Sequence, residues 1–371
     1  MKKFAVPTFA LFFICLPLPA AFGDAPVVRI TSTLHQNFTG EFRNDNLAQE
    51  LTPSGKLGLL VFVPLDKSRI WVIDPALIDE VRAMSNGYTL ATEAQPIGKE
   101  IASDWLMQLK SVTAGNNVIA LAYGNPDVVL GNRLAPSELR MYYAYGKIQL
   151  ESVLGRVVRS EPQRGWSIGR SQLSAALRES YGQERKALTR LTQVVISPEV
   201  WQLRVRLARL LSPKLDSDSH GYFSFNARTA VAAQVHKLRV ISGKYQITTE
   251  KSELPVTVIN DFPVEVNIGI EMLATNSRIL VDSFTGLKLP PNSKTQLGLK
   301  TQVIAPGQTI VLAQIIDIDG SEVAPPSILA LNATVIDPRV TWFTTGAAIL
   351  LLLAAITQSV RRIRKGRKVE I

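Results

Sequence analysis

Cysteine is all but absent, with the single residue Cys15 in a chain of 371. No internal disulfide can form, and a thiolate metal site is excluded. Histidine is scarce too: His35, His220 and His236 are all there is, at no spacing that suits a metal ion. No His-Glu-x-x-His, phosphate loop, nucleophile elbow or dinucleotide fingerprint occurs. The residues therefore imply no metal and no cofactor. Repeats of fixed period and low-complexity tracts are also missing, which excludes solenoids and long disordered linkers.

Long apolar runs are present at the two ends. At the front, Lys2 and Lys3 precede an apolar run from Phe4 to about Leu16, and Ala21-Phe22-Gly23 places small residues where a signal peptidase cuts. This predicts a signal peptide over 1–23. Ile14, before Cys15, is too large for a lipoprotein cleavage motif. At the back, Val340 to Val360 runs without a charge and is long enough to cross about 30 Å of hydrocarbon. Trp342 marks one edge. Arg361, Arg362, Arg364, Lys365, Arg367 and Lys368 follow as a basic block that favours the cytoplasmic side and anionic headgroups. The expectation is one C-terminal transmembrane helix over 339–360 with a basic tail, 361–371. That makes a single-pass type I protein of the cell membrane, its bulk extracytoplasmic.

The formal charge of +10 is concentrated in these ends and in a basic middle, where residues 131–239 hold 18 basic against 8 acidic side chains. A basic extracytoplasmic surface suits anionic wall polymers or headgroups. Arg178, Arg185, Lys186 and Arg190 also read as the solvated faces of helices. Nucleic acid is excluded as a partner by export and by the lack of interleaved aromatic side chains.

Along 24–237 short apolar strands alternate with amphipathic helices. Val27 to Leu34, Ile70 to Ile73 and Val118 to Tyr123 read as strands. Between them, Leu77, Val81 and Met84, then Ile101, Trp105, Leu109 and Val112, repeat at helical spacing. Strand–helix alternation predicts a parallel sheet with crossover helices. The span is too short for a closed barrel, which needs about 250 residues, so an irregular or incomplete α/β domain is expected. From Leu134 to Leu211 the pattern is largely helical, although Leu203, Val205 and Leu207 also alternate as a strand would. Asp216 to Gly221 reads as a loop before a helix, Ala227 to Leu238. From 238 to 338 the period becomes two, punctuated by Asn260-Asp261, Pro290-Pro291-Asn292, Pro306-Gly307 and Asp319-Gly320. This predicts an antiparallel all-β sandwich. Without cysteine or tryptophan the antibody-type core is excluded, and a fibronectin-like immunoglobulin fold is the nearer analogy.

The runs Trp71 to Leu77, Asn86-Gly87-Tyr88, Trp105-Leu106, Tyr123 to Asp127 and Leu254 to Asp261, with the span and the arginine-rich tail, resemble domain of unknown function 6049 (DUF6049). Its members are actinobacterial membrane-anchored envelope proteins, often encoded beside the flippase for the peptidoglycan lipid precursor. The resemblance implies a role in the cell envelope, with that flippase or another envelope membrane protein as a partner. Two departures stand out: the chain is short for the family, and Asn125 occupies a position where relatives tend to carry aspartate.

Candidate chemistry lies at strand ends, where parallel sheets place it. His35, Asp74 and Asp127 each follow a predicted strand. Two converging carboxylates can hydrolyse a glycan, and with His35 they can instead hold a metal, as in carbohydrate deacetylases. The same residues also read as caps: Asp74 before Pro75 and Asn125 before Pro126 suit helix N-caps, with Asp127 in a first turn. The reading adopted is a non-catalytic binding or scaffolding module in peptidoglycan biogenesis. The alternative is a glycan-acting hydrolase or deacetylase.

Overall fold

The computed structural model describes residues 26–63, 69–334 and 338–366. The expected signal peptide, 1–23, lies outside the described residues. Three short strands form the first layer: β1 Val27–Ile30, β2 Ile70–Ile73 and β3 Asn117–Ala120. Between β1 and β2 come α1 (Asn46–Leu51) and α2 (Gly58–Phe62). Between β2 and β3 come α3 (Pro75–Ser85) and α4 (Lys99–Thr113). The strands pair in parallel in the order β1-β2-β3, as strand–helix alternation requires. Val28, Trp71 and Val118 form one cross-strand row and Ile30, Ile73 and Ala120 the next. Both rows join Leu77, Val81, Met84, Trp105 and Leu109 in one buried cluster. The sheet is an open, incomplete one.

Two strands are shorter than predicted. β1 stops at Ile30 rather than Leu34, and beyond it the backbone N–H groups of His35 and Gln36 turn to the Glu80 carboxylate at 3.1 and 2.9 Å. β3 stops at Ala120 rather than Tyr123, whose N–H donates to the Tyr142 carbonyl, 3.0 Å away in a helix. At Tyr123 the backbone has a partner outside the ladder, which satisfies it equally well.

The helical middle contains α5 (Val128–Leu134), α6 (Pro136–Leu154), α7 (Ala175–Val194), α8 (Pro198–Arg206) and α9 (Ser217–His236). The ambiguous stretch is helical, since α8 continues as a 3-10 turn over Leu207–Leu211. The run Asp216 to Gly221 is not a loop. Asp216 accepts from the Ser219 N–H at 2.7 Å and caps α9, so the polar cluster is that helix's first turn.

Nine strands follow: β4 (Leu238–Val240), β5 (Gly243–Ile247), β6 (Lys251–Asn260), β7 (Val266–Ala274), β8 (Ile279–Val281), β9 (Phe284–Leu289), β10 (Ser293–Val303), β11 (Gly307–Ile316) and β12 (Ser327–Ala333). They form two sheets, β4-β6-β10-β8 and β5-β12-β11-β7-β9. The sandwich is not wholly antiparallel: β5 pairs with β12 in parallel, because the chain leaves the first sheet after β4 and enters the second as its edge. Asn260 is fully buried and holds the turns together. Its amide donates to the carbonyls of Val264, Leu289 and Pro290, and its oxygen accepts from the Phe262 N–H at 3.1 Å.

A single apolar core runs through both parts. Leu188, Leu191, Phe223 and Ala227 of α7 and α9 belong to the same cluster as Val258, Ile270, Val311 and Leu329 of the sandwich. Each large side chain so buried contributes about 1.5–3 kcal/mol.

Last comes α10, Pro338–Gly366, a helix of 29 residues. It carries the expected span, but the side chains of residues 338–341, 343–344 and 363–366 lie outside the described set, as do Arg367 and Lys368. Among the described residues, no helix is long and apolar enough to cross a membrane.

Candidate functional site

The carboxyl ends of β1, β2 and β3 meet at Asp74, and the geometry there is closed. Asp74 follows β2 directly, and its Oδ1 accepts from the N–H of Ala76 at 3.0 Å and of Gly124 at 2.9 Å. The first bond caps α3, with Pro75 at the position where a missing N–H costs nothing. The second ties the cap to the turn after β3. Gly124 has φ +79°, and a Cβ there would meet the Arg209 backbone at 2.9 Å, so only glycine fits.

Arg209 packs over Gly124 at the strand ends. Only 3% exposed, it enters from the 3-10 turn and pairs with Glu80, itself 2% exposed. Glu80 also receives the His35 and Gln36 backbone N–H groups, so one carboxylate joins α3, the turn after β1 and the helical middle. The remaining cavity, lined by Asp74, Glu80, Arg209 and Ser212 among others, measures about 10 Å³. That is room for one water.

Burial pushes the Asp74 carboxyl up to about 7, against the two backbone hydrogen bonds and the Arg209 charge, which act the other way. It also lowers the Arg209 guanidinium to about 10. Perturbed groups of this kind mark catalytic sites, but buried ion-pair networks produce them as well. Here Asp74 is 5% exposed and the space beside it is small.

The three candidate residues do not share a pocket. His35 is buried, 3.4 Å from the Ser32 hydroxyl and 3.9 Å from the Glu50 carboxylate, and it lines a separate cleft of about 410 Å³ with Arg43, Asn46 and Asp216. Burial depresses its imidazole to about 4, outweighing the opposing pull of Glu50. Asp127 lines neither space. Its Oδ1 accepts from the N–H of Val129 and Leu130, at 3.0 and 3.1 Å, and from Arg170 at 3.3 Å; its Oδ2 accepts from the Ser171 N–H. Those hydrogen bonds hold its carboxyl below the usual range although burial works against them. Asp127 is therefore the N-cap of α5 rather than a first-turn residue. Asn125 is not a cap: it lies outside the helix with φ +42°.

The basic middle is only partly a solvated face. Arg204 makes a bidentate pair with the buried Glu138, its Nε at 3.1 and 3.2 Å from the two carboxylate oxygens, and donates to the Thr192 hydroxyl at 2.9 Å. Arg206 donates to the Asn37 carbonyl at 2.5 Å. With Arg209, these are internal struts. Sequence reasoning passed over Glu80 and Arg209, yet both carried a signal. Glu80 sits on the apolar stripe of Leu77, Val81 and Met84, and Arg209 interrupts the apolar run Leu207–Leu211. Among the described residues, no group of His, Asp and Glu is arranged to hold a metal ion.

The profile of a family of unknown function, DUF6049, matches residues 169–368, more than half of the chain. The chain belongs to the DUF6049 family. The match takes in α7 to α10 and the sandwich, and leaves the strand-end residues of the first layer outside it. The comparison with curated proteins gives no match. Among solved structures, this DUF6049 member is similar to alpha-2-macroglobulin of Escherichia coli, at 16% identity and TM-score 0.21, over 26% of this chain and 6% of that one. It is also similar to WR4, an MSP family member of Caenorhabditis elegans, at 13% identity and TM-score 0.20, over 26% of this chain and 98% of that one. The CARDB domain of PF1109 from Pyrococcus furiosus gives 14% identity and TM-score 0.20, over 26% and 94%. The alpha-2-macroglobulin is thus spanned over a small fraction of its length.

Proposed function

We propose that this DUF6049 protein is a membrane-anchored, extracytoplasmic binding or scaffolding module of the cell envelope that performs no catalysis with its strand-end carboxylates. The observation that carries the reading is the closed strand end. Asp74 and Asp127 are committed to backbone N–H groups, and the space beside Asp74 holds one water. A hydrolase needs two carboxylates about 5–10 Å apart across an open site.

Anchoring is proposed through α10. Its Ile349, Leu350, Leu351, Leu352, Leu353 and Ile356 are each more than half exposed and surround the helix rather than forming one stripe. An apolar surface on all sides of a helix calls for an apolar solvent. The stretch with described side chains, 345–360, is shorter than the about 20 residues that hydrocarbon demands, and Val340 to Thr344 would complete it. Arg361 and Arg362, both exposed, would then face headgroups. A place in peptidoglycan biogenesis, beside a lipid-precursor flippase or another envelope membrane protein, follows from the family resemblance.

The test uses the full-length chain in detergent, incubated with purified sacculi, alongside Asp74→Asn and Asp127→Asn. Co-sedimentation without released sugar or acetate, unchanged in both variants, is the expected result. Release that disappears in folded variants would overturn the reading in favour of a hydrolase or deacetylase. For the anchor, alkaline carbonate should leave the chain in the membrane pellet; extraction into the supernatant would refute it.

A further inference from the structure

The cleft that His35 lines has a chemistry of its own. It measures about 410 Å³, within the range of about 300–1,000 Å³ that small-molecule sites occupy. It lies between the turn after β1, the helix α1 and the start of α9. Leu34 is its one aliphatic contributor among the described residues and is itself buried, and no Phe, Tyr or Trp lines the space. An apolar ligand therefore gains little by entering.

The charges in the wall divide into committed acids and open cations. Glu50 receives Lys56 at 2.9 Å and the Ser32 hydroxyl at 2.6 Å, and Asp216 caps α9. By contrast, the exposed Lys214 ammonium makes no ion pair among the described residues. Arg43, also exposed, makes one long contact, 3.4 Å to the Ser219 hydroxyl, and lies over the Tyr222 ring. Asn46, exposed at the first position of α1, adds an amide to the same wall. With its acids occupied and its donors open, the cleft favours a negative charge.

His35 adds the opposite requirement. The single Ser32 proton goes to Glu50 and the Ser32 oxygen accepts from Lys56 at 3.0 Å, so the 3.4 Å contact with His35 Nε2 places an N–H on that nitrogen. Nδ1 is then a bare acceptor. It makes no hydrogen bond among the described residues and, unlike the ring nitrogens of His220, it is not sealed from solvent. The ring is held in place, because its backbone N–H donates to Glu80 and its carbonyl accepts from the Arg43 N–H at 2.9 Å. A fixed lone pair on a residue only 4% exposed calls for a hydroxyl partner.

We propose that this cleft binds one polyhydroxylated unit bearing a negative charge, an acidic sugar or a polyol phosphate. The anionic group pairs with Lys214 in the field of Arg43, one hydroxyl donates to His35 Nδ1, and Asn46 meets another. This deepens the binding reading above and rests on it, by naming the ligand class.

Titrations of the full-length chain in detergent, labelled with 15N-histidine and followed by NMR, test it. D-Glucuronate and glycerol 3-phosphate are the probes; glucose, which lacks the charge, and acetate, which lacks the hydroxyls, are the comparators. Glucose and acetate should bind about tenfold more weakly or worse. The His35 Nδ1 resonance should move with a bound probe and stay in place with acetate. Binding of one probe alone also supports the site, and tells whether the charge is carboxylate or phosphate. Lys214→Gln removes an unpaired charge, and Asn46→Asp puts a negative charge in the wall while suiting the positive end of α1. Each should cost about tenfold in affinity with the unfolding midpoint unchanged or raised. Absence of binding at about 10 mM of either probe, equal binding of glucose or acetate, an unmoved His35 resonance at saturation, or unaltered affinity in both variants would each overturn the proposal. Sacculus binding retained in both variants, with neither probe ever bound, would sink this cleft while leaving the module reading intact.

Discussion

The three-stranded layer buries Asp74, Glu80 and Arg209 together at its strand ends, whereas the space between the two sheets of the sandwich is closed by aliphatic side chains, and its deepest polar residue is the neutral Asn260. Both arrangements are satisfied, but they respond differently to damage. A buried charge left without its partner costs the full desolvation of that charge, while a lost amide leaves unpaired carbonyls of modest individual cost. Specificity in the first layer therefore resides in a few ionic contacts made across long stretches of chain. In the sandwich it is spread over strand register and packing.

Arg209→Met should expose this contrast most sharply. It leaves Glu80 and Asp74 buried without their cation, and a loss of about 3–5 kcal/mol is expected in denaturant unfolding of the full chain. Adding Glu80→Gln should recover part of that loss. A single substitution costing under 1 kcal/mol would show that the charge cluster does not organise the layer.

The acid response of the two parts should differ as well. His35 is depressed from 6.5 to about 4 in the folded state, so its contribution is present above pH 6.5 and lost as pH falls towards 4. Asp74 is raised from 3.8 to about 7, so its contribution is present below pH 3.8 and lost as pH rises through 7. Each is worth on the order of 3–4 kcal/mol, and they oppose one another over pH 4–6.5. Stability of the layer should be nearly flat there. His35→Gln should make it fall with rising pH and Asp74→Asn with falling pH, read by hydrogen exchange of β1 to β3. Equal slopes in the two variants would contradict the pairing of effects.

Asn260→Ala should destabilise the sandwich by about 2 kcal/mol, since four hydrogen bonds lose one partner. The first layer's exchange should stay unchanged. A matching loss in β1 to β3 would mean that the two halves do not act separately. Smallest of all, Asp127→Asn should cost under about 1 kcal/mol, because asparagine caps a helix nearly as well; thermal unfolding measures it.

How much of this was legible depends on the range of the signal. Leu77, Val81 and Met84 declared α3 because a helical stripe is local, and Val266, Ile268 and Ile270 declared their strand for the same reason. Asp74 was readable as a cap from Pro75, whereas Pro126 drew the second cap to Asn125 and left the true N-cap, Asp127, read as a first-turn residue. Asp216 to Gly221 looked like a loop because a well-capped first turn uses the same polar residues. The insertion of Arg209 against Glu80 was hidden, since neither neighbourhood encodes which distant partner neutralises it. The parallel β5–β12 pair was equally hidden, being set by where the chain changes sheets.

Arg209 also has a temporal meaning. It emerges long after Glu80 and Asp74, whether from the ribosome or across a membrane, so the first layer comes out with its acids uncovered and Gly124 facing nothing. The layer's strands and helices are complete in sequence by Leu154, yet the residue that seals them arrives only with the turn after α8. Folding of the amino-terminal layer must therefore wait for the helical middle, and a nascent chain stalled before Arg209 would be the form most in need of a chaperone.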